Sequence, residues 1–196
     1  MTDLALGVRR AAWGTRVLAV VLGAILVALA AQVSVPLPGT PVPMTLQPMA
    51  VLLVGGLLGA PLGALSMILY LAMGAAGLPV FTPTVPLVGI ARLIGPTGGY
   101  LLAYPIAAYA VGALVPPRRN AERGSGGEDW ARVALGVLAG VVLIHLGGLA
   151  QLAVLTGNLS AAARFGTVPF LLGDLLKIAV LVPVLTKLSP TIRARL

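Results

Sequence analysis

Long apolar runs dominate this chain: Val17–Val35, Met49–Ala76, Leu101–Val115, Ala131–Thr156 and Phe165–Leu188 follow one another with few interruptions. With 59% hydrophobic and 9% charged residues, the 196-residue chain carries far more apolar surface than a soluble domain of that length can bury. The expectation is a single all-α integral membrane domain over residues 1–196. Met49–Ala76 is too long for one span, and Gly59-Ala60-Pro61 suits a tight turn between two shorter helices. Six spans are therefore expected, at about 17–35, 48–61, 62–76, 100–115, 131–156 and 166–188, with a hydrophilic linker over 116–130. Each half of Met49–Ala76 would rise only roughly 21 Å, short of a hydrocarbon core of about 30 Å. Such short spans imply local thinning or oligomeric company, so a homo-oligomer is one expected arrangement.

Several function classes drop out on composition. A net charge of +8 would suggest nucleic acid in a soluble chain, but here the basic residues flank apolar runs, as membrane topology requires. There is no cysteine and a single histidine, His145, so thiolate chemistry and a Cys- or His-rich metal centre are excluded. No Ser/His/Asp or paired-carboxylate arrangement is recognisable, so no catalytic residue is expected and the chain is read as a non-enzyme. A Walker lysine motif is also missing, so any ATP would be used by another polypeptide.

Within the last run stand two opposite charges, Asp174 and Lys177, three residues apart on one helical face. A charge at membrane depth costs roughly 2.5–3.5 kcal/mol on insertion scales, a cost recovered by pairing, by lining a wet cavity or by binding a ligand. The alternative is a structural ion pair that locks helices together. Alternating six spans collects ten basic residues on one side (Arg9, Arg10, Arg16, Arg118, Arg119, Arg123, Arg132, Lys187, Arg193, Arg195) and leaves two, Arg92 and Arg164, opposite. Both termini are then cytoplasmic. Asp174 falls in the outer half of the last span, beneath loops that face outward, and the expected pocket opens to the outside.

Those outer loops are unusual. Pro36–Pro48 carries five prolines and no charge, so it is expected to be stiff and extended and to fold back as a lid, with Thr45 and Gln47 as hydrogen-bonding groups. Gly77–Gly99 is rich in Gly and Pro, and non-helical backbone at membrane depth must be buried in protein or line a cavity. Gly98 and Gly99 can present backbone N–H groups at the start of the next helix, where an anion is favoured. Arg92 reads either as an interfacial anchor or as an anion partner. His145 and Gln151, six apart, do not share a helix face cleanly, and either suits a satisfied core polar group. Ala24 and Ala28 put small residues at helical spacing, which allows close approach of another helix, from this chain or from a partner.

Five stretches together resemble the BioY family of substrate-binding components of energy-coupling-factor vitamin transporters. They are Pro41-Val-Pro-Met-Thr-Leu-Gln47, Leu57-Leu-Gly-Ala-Pro-Leu-Gly-Ala-Leu-Ser-Met67, Gly77-Leu-Pro-Val-Phe81, Gly95-Pro-Thr-Gly-Gly-Tyr100 and Gly173-Asp-Leu-Leu-Lys-Ile178, in the family's order. The chain departs from the family pattern around His145 and Gln151 and in the 116–130 linker. The resemblance implies six membrane helices in a prokaryotic plasma membrane, high-affinity biotin binding from outside, and delivery with an EcfT-type membrane scaffold and two ATPase subunits. It implies no cofactor on this chain, since biotin is the transported ligand. The substrate-binding residues it points to are Asp174, Lys177, Gln47, Thr45, Arg92, Tyr100, Gly98, Gly99 and Phe81, with Ala24 and Ala28 facing the scaffold. The rival readings are a stand-alone secondary transporter, for which no internal repeat is evident, or a binding subunit for another small vitamin.

Overall fold

The structure, a computed structural model, describes residues 2–116 and 126–196. Helix α1 runs Thr2–Gln32, followed by two short strands, β1 Ser34–Val35 and β2 Met44–Thr45. Then come α2 Gln47–Leu58, α3 Ala60–Ala75, a short α4 Ile90–Ile94, α5 Gly98–Leu114, α6 Gly126–Thr156 and α7 Leu159–Gly166. A single 3-10 turn, Val168–Phe170, leads into α8 Leu171–Arg193. Three segments are long and apolar enough to cross a membrane: Trp13–Gln32, Asp129–Thr156 and Leu159–Arg193, the last containing α7 and α8. Helices α2, α3 and α5 are apolar but shorter.

The chain is mostly helical, as expected, with one local exception: β1 and β2 pair antiparallel, Ser34 opposite Thr45 and Val35 opposite Met44. This ladder ties the two ends of the proline-rich loop together, giving its exposed backbone groups partners that proline cannot supply. The linker expected over 116–130 is shortened at its far end, since α6 already begins at Gly126, and its remainder falls mostly outside the described residues.

Local sequence explains where the helices stop. Gly59, at φ +86°, ends α2 with its N–H bonded to Gly55 O and at the same time precedes α3, whose first turn holds Pro61. A left-handed residue that needs no Cβ strain, followed by a proline in the first turn, lets two helices meet with no intervening loop. Asn158 caps α7, its Oδ1 accepting from Ala161 N at 3.1 Å. Prolines lie inside α5 (Pro105) and α8 (Pro183, Pro190); neighbouring helices in a membrane bundle tolerate such interruptions.

Helix α5 is the central element, packed on α6 and also on α3 and α2, while α1 lies on α3 and α8 lies on α2 and α6. The buried core is apolar, with Leu52, Met67, Tyr70, Val111, Leu181 and Leu185 among its most enclosed side chains. The outward residues are also apolar, Leu146, Val154 and Leu172 for example, as a lipid-facing surface demands. Since lipid tails are as apolar as leucine, the helices gain from packing closely. A Cβ on Gly99 would overlap the backbone carbonyl of Gly147, and one on Gly147 would overlap that of Gly99, so α5 and α6 touch backbone to backbone. At the far end of α8, Arg193 donates to Gly56 O (2.7 and 3.0 Å), Gly112 O (3.0 Å) and Val115 O (2.8 Å). These are late carbonyls of α2 and α5 together with the residue that follows α5, which helix geometry leaves without helical partners.

The α5–α6 contact makes a direct prediction. Replacing Gly147 with Leu should lower the thermal unfolding midpoint of the detergent-solubilised protein, by an overpacking penalty on the order of 1–3 kcal/mol. Gly14→Ala, at a helical glycine with nothing within 4 Å of its Cβ position, should leave the midpoint unchanged or raise it. Equal midpoints for wild type and Gly147→Leu would refute the close crossing.

Candidate functional site

A cavity lies among α2, α4, α5, α6 and α8 under the proline-rich loop, enclosing about 700 Å³ of space between atoms, part of it open to solvent. Its walls are largely apolar, from Val42, Pro43, Leu52, Phe81, Leu101, Val141, Ile144 and Phe170. A small number of polar side chains converge on it, the usual composition of a site for a small organic molecule.

The first polar group is centred on Asp174. Lys177, three residues along α8, donates from Nζ to Asp174 Oδ1 at 2.9 Å, the i,i+3 geometry the sequence predicts. The carboxylate does not end there: His145 Nε2 on α6 lies 2.6 Å from Oδ2. Asp174 and Lys177 are only 6% and 9% exposed, and the three groups form one hydrogen-bonded unit spanning two helices. Engaging both carboxylate oxygens is what makes the charge bearable at this depth. His145 is held from its sides by Tyr100, edge-on at 6.3 Å, and by Phe170 at 6.5 Å between ring centres. Tyr100 is itself pinned, its hydroxyl donating to Gly166 O at 2.6 Å.

The second group joins the proline-rich loop to the start of α2. Gln47 N donates to Thr45 Oγ1 at 3.2 Å, and Thr45 Oγ1 donates back to Gln47 Oε1 at 3.3 Å. Gln47 Nε2 donates to the Tyr70 hydroxyl, which donates to Val80 O at 3.2 Å. Phe81 packs edge-on against Tyr70 at 5.4 Å. Thr45, Gln47 and Phe81 all line the cavity.

The third is Arg92 on α4. It is 1% exposed, and its guanidinium donates to Val85 O (2.6 Å), Leu87 O (3.3 Å) and Thr82 O (2.6 Å). Three carbonyls of the non-helical 82–87 backbone are therefore satisfied by one side chain. Arg92 is not an interfacial anchor. Its Nε is buried without a partner, and no carboxylate pairs with it among the described residues. Gln151 supports the same loop, donating from Nε2 to Gly95 O (2.7 Å) and Leu93 O (3.1 Å), and does not line the cavity.

The expected site residues thus divide. Asp174, Lys177, Thr45, Gln47, Phe81, Arg92 and Tyr100 converge on the cavity. Gly98 and Gly99 do not: Gly98 N–H is committed to Gly95 O, and a Cβ at either glycine would overlap backbone. Both glycines pack against backbone, and neither lines the cavity. Ala24 is likewise corrected as a docking residue, because it is fully buried in this chain's own core, with Gly23 beside it tight against Ser66 and Val54. Ala28 is half-buried and packs against the same core. His145, Thr97, Tyr104 and Phe170 line the cavity without having been singled out as ligand contacts. Their positions follow from tertiary approach, and only His145, an ionisable residue within a span, carried a signal in the sequence.

Comparison with known proteins agrees with this arrangement. A sequence profile described as the BioY family matches residues 5–194. A probable biotin transporter BioY from Pyrococcus horikoshii is 37% identical over 164 residues, covering 84% of this chain and 90% of that protein. A biotin transporter BioY from Thermotoga maritima is 34% identical over 155 residues, covering 79% and 84%. The fold is that of a crystallised S-component for biotin from an ECF-type ABC transporter, with a TM-score of 0.76 at 24% identity, over 89% of this chain and 90% of that one. The profile match along nearly the whole sequence, with relatives aligned over most of their own length, places this chain in the BioY family.

Proposed function

We propose that this chain is the biotin-binding S component of an energy-coupling-factor transporter and takes up biotin from outside the cell. The observation that carries the reading is the cavity itself, an apolar chamber with a buried carboxylate–ammonium–imidazole cluster and a buried guanidinium that has no acidic partner among the described residues. It occurs in a chain whose relatives are named biotin transporters. Biotin offers a ureido carbonyl, two ureido N–H groups, an apolar bicycle and chain, and a carboxylate. Asp174 accepts from N–H, Lys177 donates to a carbonyl, Arg92 complements an anion, and Phe81, Leu52, Ile144 and Phe170 enclose the apolar body.

Six spans with cytoplasmic termini follow from the excess of basic residues on one side, and put the cavity in the outer half of the bilayer, in a prokaryotic plasma membrane. A membrane scaffold subunit and two ATPase subunits supply the energy, as the S-component assignment requires, and the face that meets the scaffold does not include Ala24. Because the chain has no cysteine, orientation is directly measurable. In intact cells a membrane-impermeant maleimide should label Gly39→Cys and should label Arg195→Cys only after lysis. Labelling of Arg195→Cys in intact cells would reverse the assignment.

Removing either member of the ion pair leaves a buried group unpaired beside the ligand. Asp174→Asn and Lys177→Met should each weaken biotin binding by about a hundredfold or more, measured by equilibrium binding to folded, purified protein. Wild-type affinity in both variants would remove the pair from the site.

The loop over the cavity is held by the β1–β2 ladder and by Thr40 Oγ1, which donates to Phe165 O at 2.6 Å. Val42 and Pro43 face the cavity from this loop, so it acts as the lid. Hydrogen exchange over Val42–Gln47 should slow when biotin is bound. Identical exchange with and without biotin counts against a lid.

A further inference from the structure

We propose that His145 determines ligand specificity in this site, its Nδ1 accepting a hydrogen bond from a ureido N–H of biotin, so that biotin binds the protein in which His145 is neutral. The proposal rests on the biotin-binding reading above and deepens it, because it also sets which end of the ligand meets Asp174.

The argument starts from the carboxylate. An ionised Asp174 can only accept, and with Lys177 Nζ on Oδ1 and His145 Nε2 on Oδ2 at 2.6 Å, Nε2 must be the nitrogen that carries hydrogen. In the neutral ring Nδ1 is then a bare acceptor. The structure leaves Nδ1 buried with no partner among the described residues, on a residue that lines the cavity and whose ring is held by Tyr100 and Phe170. A buried polar atom without a partner is costly, and the cost is removed by a ligand that brings a donor. A carboxylate placed there would set lone pairs against a lone pair. The ureido end therefore goes to His145 and Asp174, leaving the carboxylate for Arg92, whose Nε also lacks a partner.

Protonation reverses the role of Nδ1. The imidazolium carries a hydrogen there, which opposes the ureido N–H, so binding and protonation compete for one site. The charged and titratable groups around His145 are Asp174 and Lys177 from α8, Tyr100 and Tyr104 from α5, and Arg92 across the same cavity, while Arg164 of α7 is exposed. Of these, Asp174 alone bonds to the ring. A glutamine at 145 would still donate to Asp174 and accept from the ligand, but would not titrate.

The test is biotin affinity as a function of pH. On the acid side of the His145 titration the dissociation constant of wild type should rise about tenfold per pH unit, the slope for one competing proton. His145→Gln should bind biotin with no such slope. The same slope in both overturns the proposal. His145 is the sole histidine in this sequence, so its ring signals in NMR are unambiguous and need no variant. Bound biotin should move the Nδ1 nitrogen resonance upfield, as for an unprotonated imidazole nitrogen that begins to accept a hydrogen bond; an unchanged Nδ1 resonance overturns the contact while leaving biotin binding intact. Absence of biotin binding by wild type at every pH overturns the functional reading and this contact together.

Discussion

A carboxylate buried in the wall of a helical bundle persists only if its lone pairs are spoken for, and Asp174 meets that demand with two cations or donors from two directions. Lys177 reaches it from the same helix and His145 from the neighbouring one, so a local pairing and a tertiary pairing converge on one side chain. That convergence sets the rotation of α8 against α6. It also puts the remaining hydrogen-bonding capacity of the cluster where Leu52, Ile144 and Phe170 wall off the cavity. On the proposed function, electrostatic cost and ligand recognition have a common origin here: groups costly to bury are stabilised partly by each other and partly by what binds among them.

The same economy recurs at Arg92, where a buried guanidinium holds the carbonyls of residues 82, 85 and 87. The carbonyls of a non-helical segment have no ladder to join, and a planar guanidinium that presents several donors in a rigid fork ties three of them together. Gln151 performs a smaller version of the task at Leu93 and Gly95. The cavity wall on this side is therefore an irregular segment made rigid by polar side chains, where the opposite wall is helix.

What was legible in the sequence follows from what is local. The helices could be placed because apolar runs and Gly-Pro breaks are properties of neighbouring residues, and the Asp174–Lys177 pair because i,i+3 spacing is a property of one helix. The His145–Asp174 bond was not legible, since helical spacing says nothing about two residues 29 apart on different helices. Gly98 and Gly99 were ambiguous for a related reason: a glycine pair opening a helix suits an anion or a neighbouring backbone equally, and only the tertiary structure shows the approach of Gly147. Ala24 shows the same ambiguity, because small residues accommodate a helix of the same chain as readily as that of a partner.

Arg193 has a further meaning once the positions of the charges along α8 are compared. It stands nineteen residues beyond Asp174, about 28 Å of helical rise, and grips the ends of α2 and α5 just as Asp174 grips α6. A rod fastened near both ends to different neighbours can neither spin about its axis nor slide along it without breaking charged hydrogen bonds. Helix α8 is thereby a strut of the chamber, whereas the segment roofing it is tied down by uncharged bonds, a two-rung ladder and a threonine hydroxyl among them, which cost less to open.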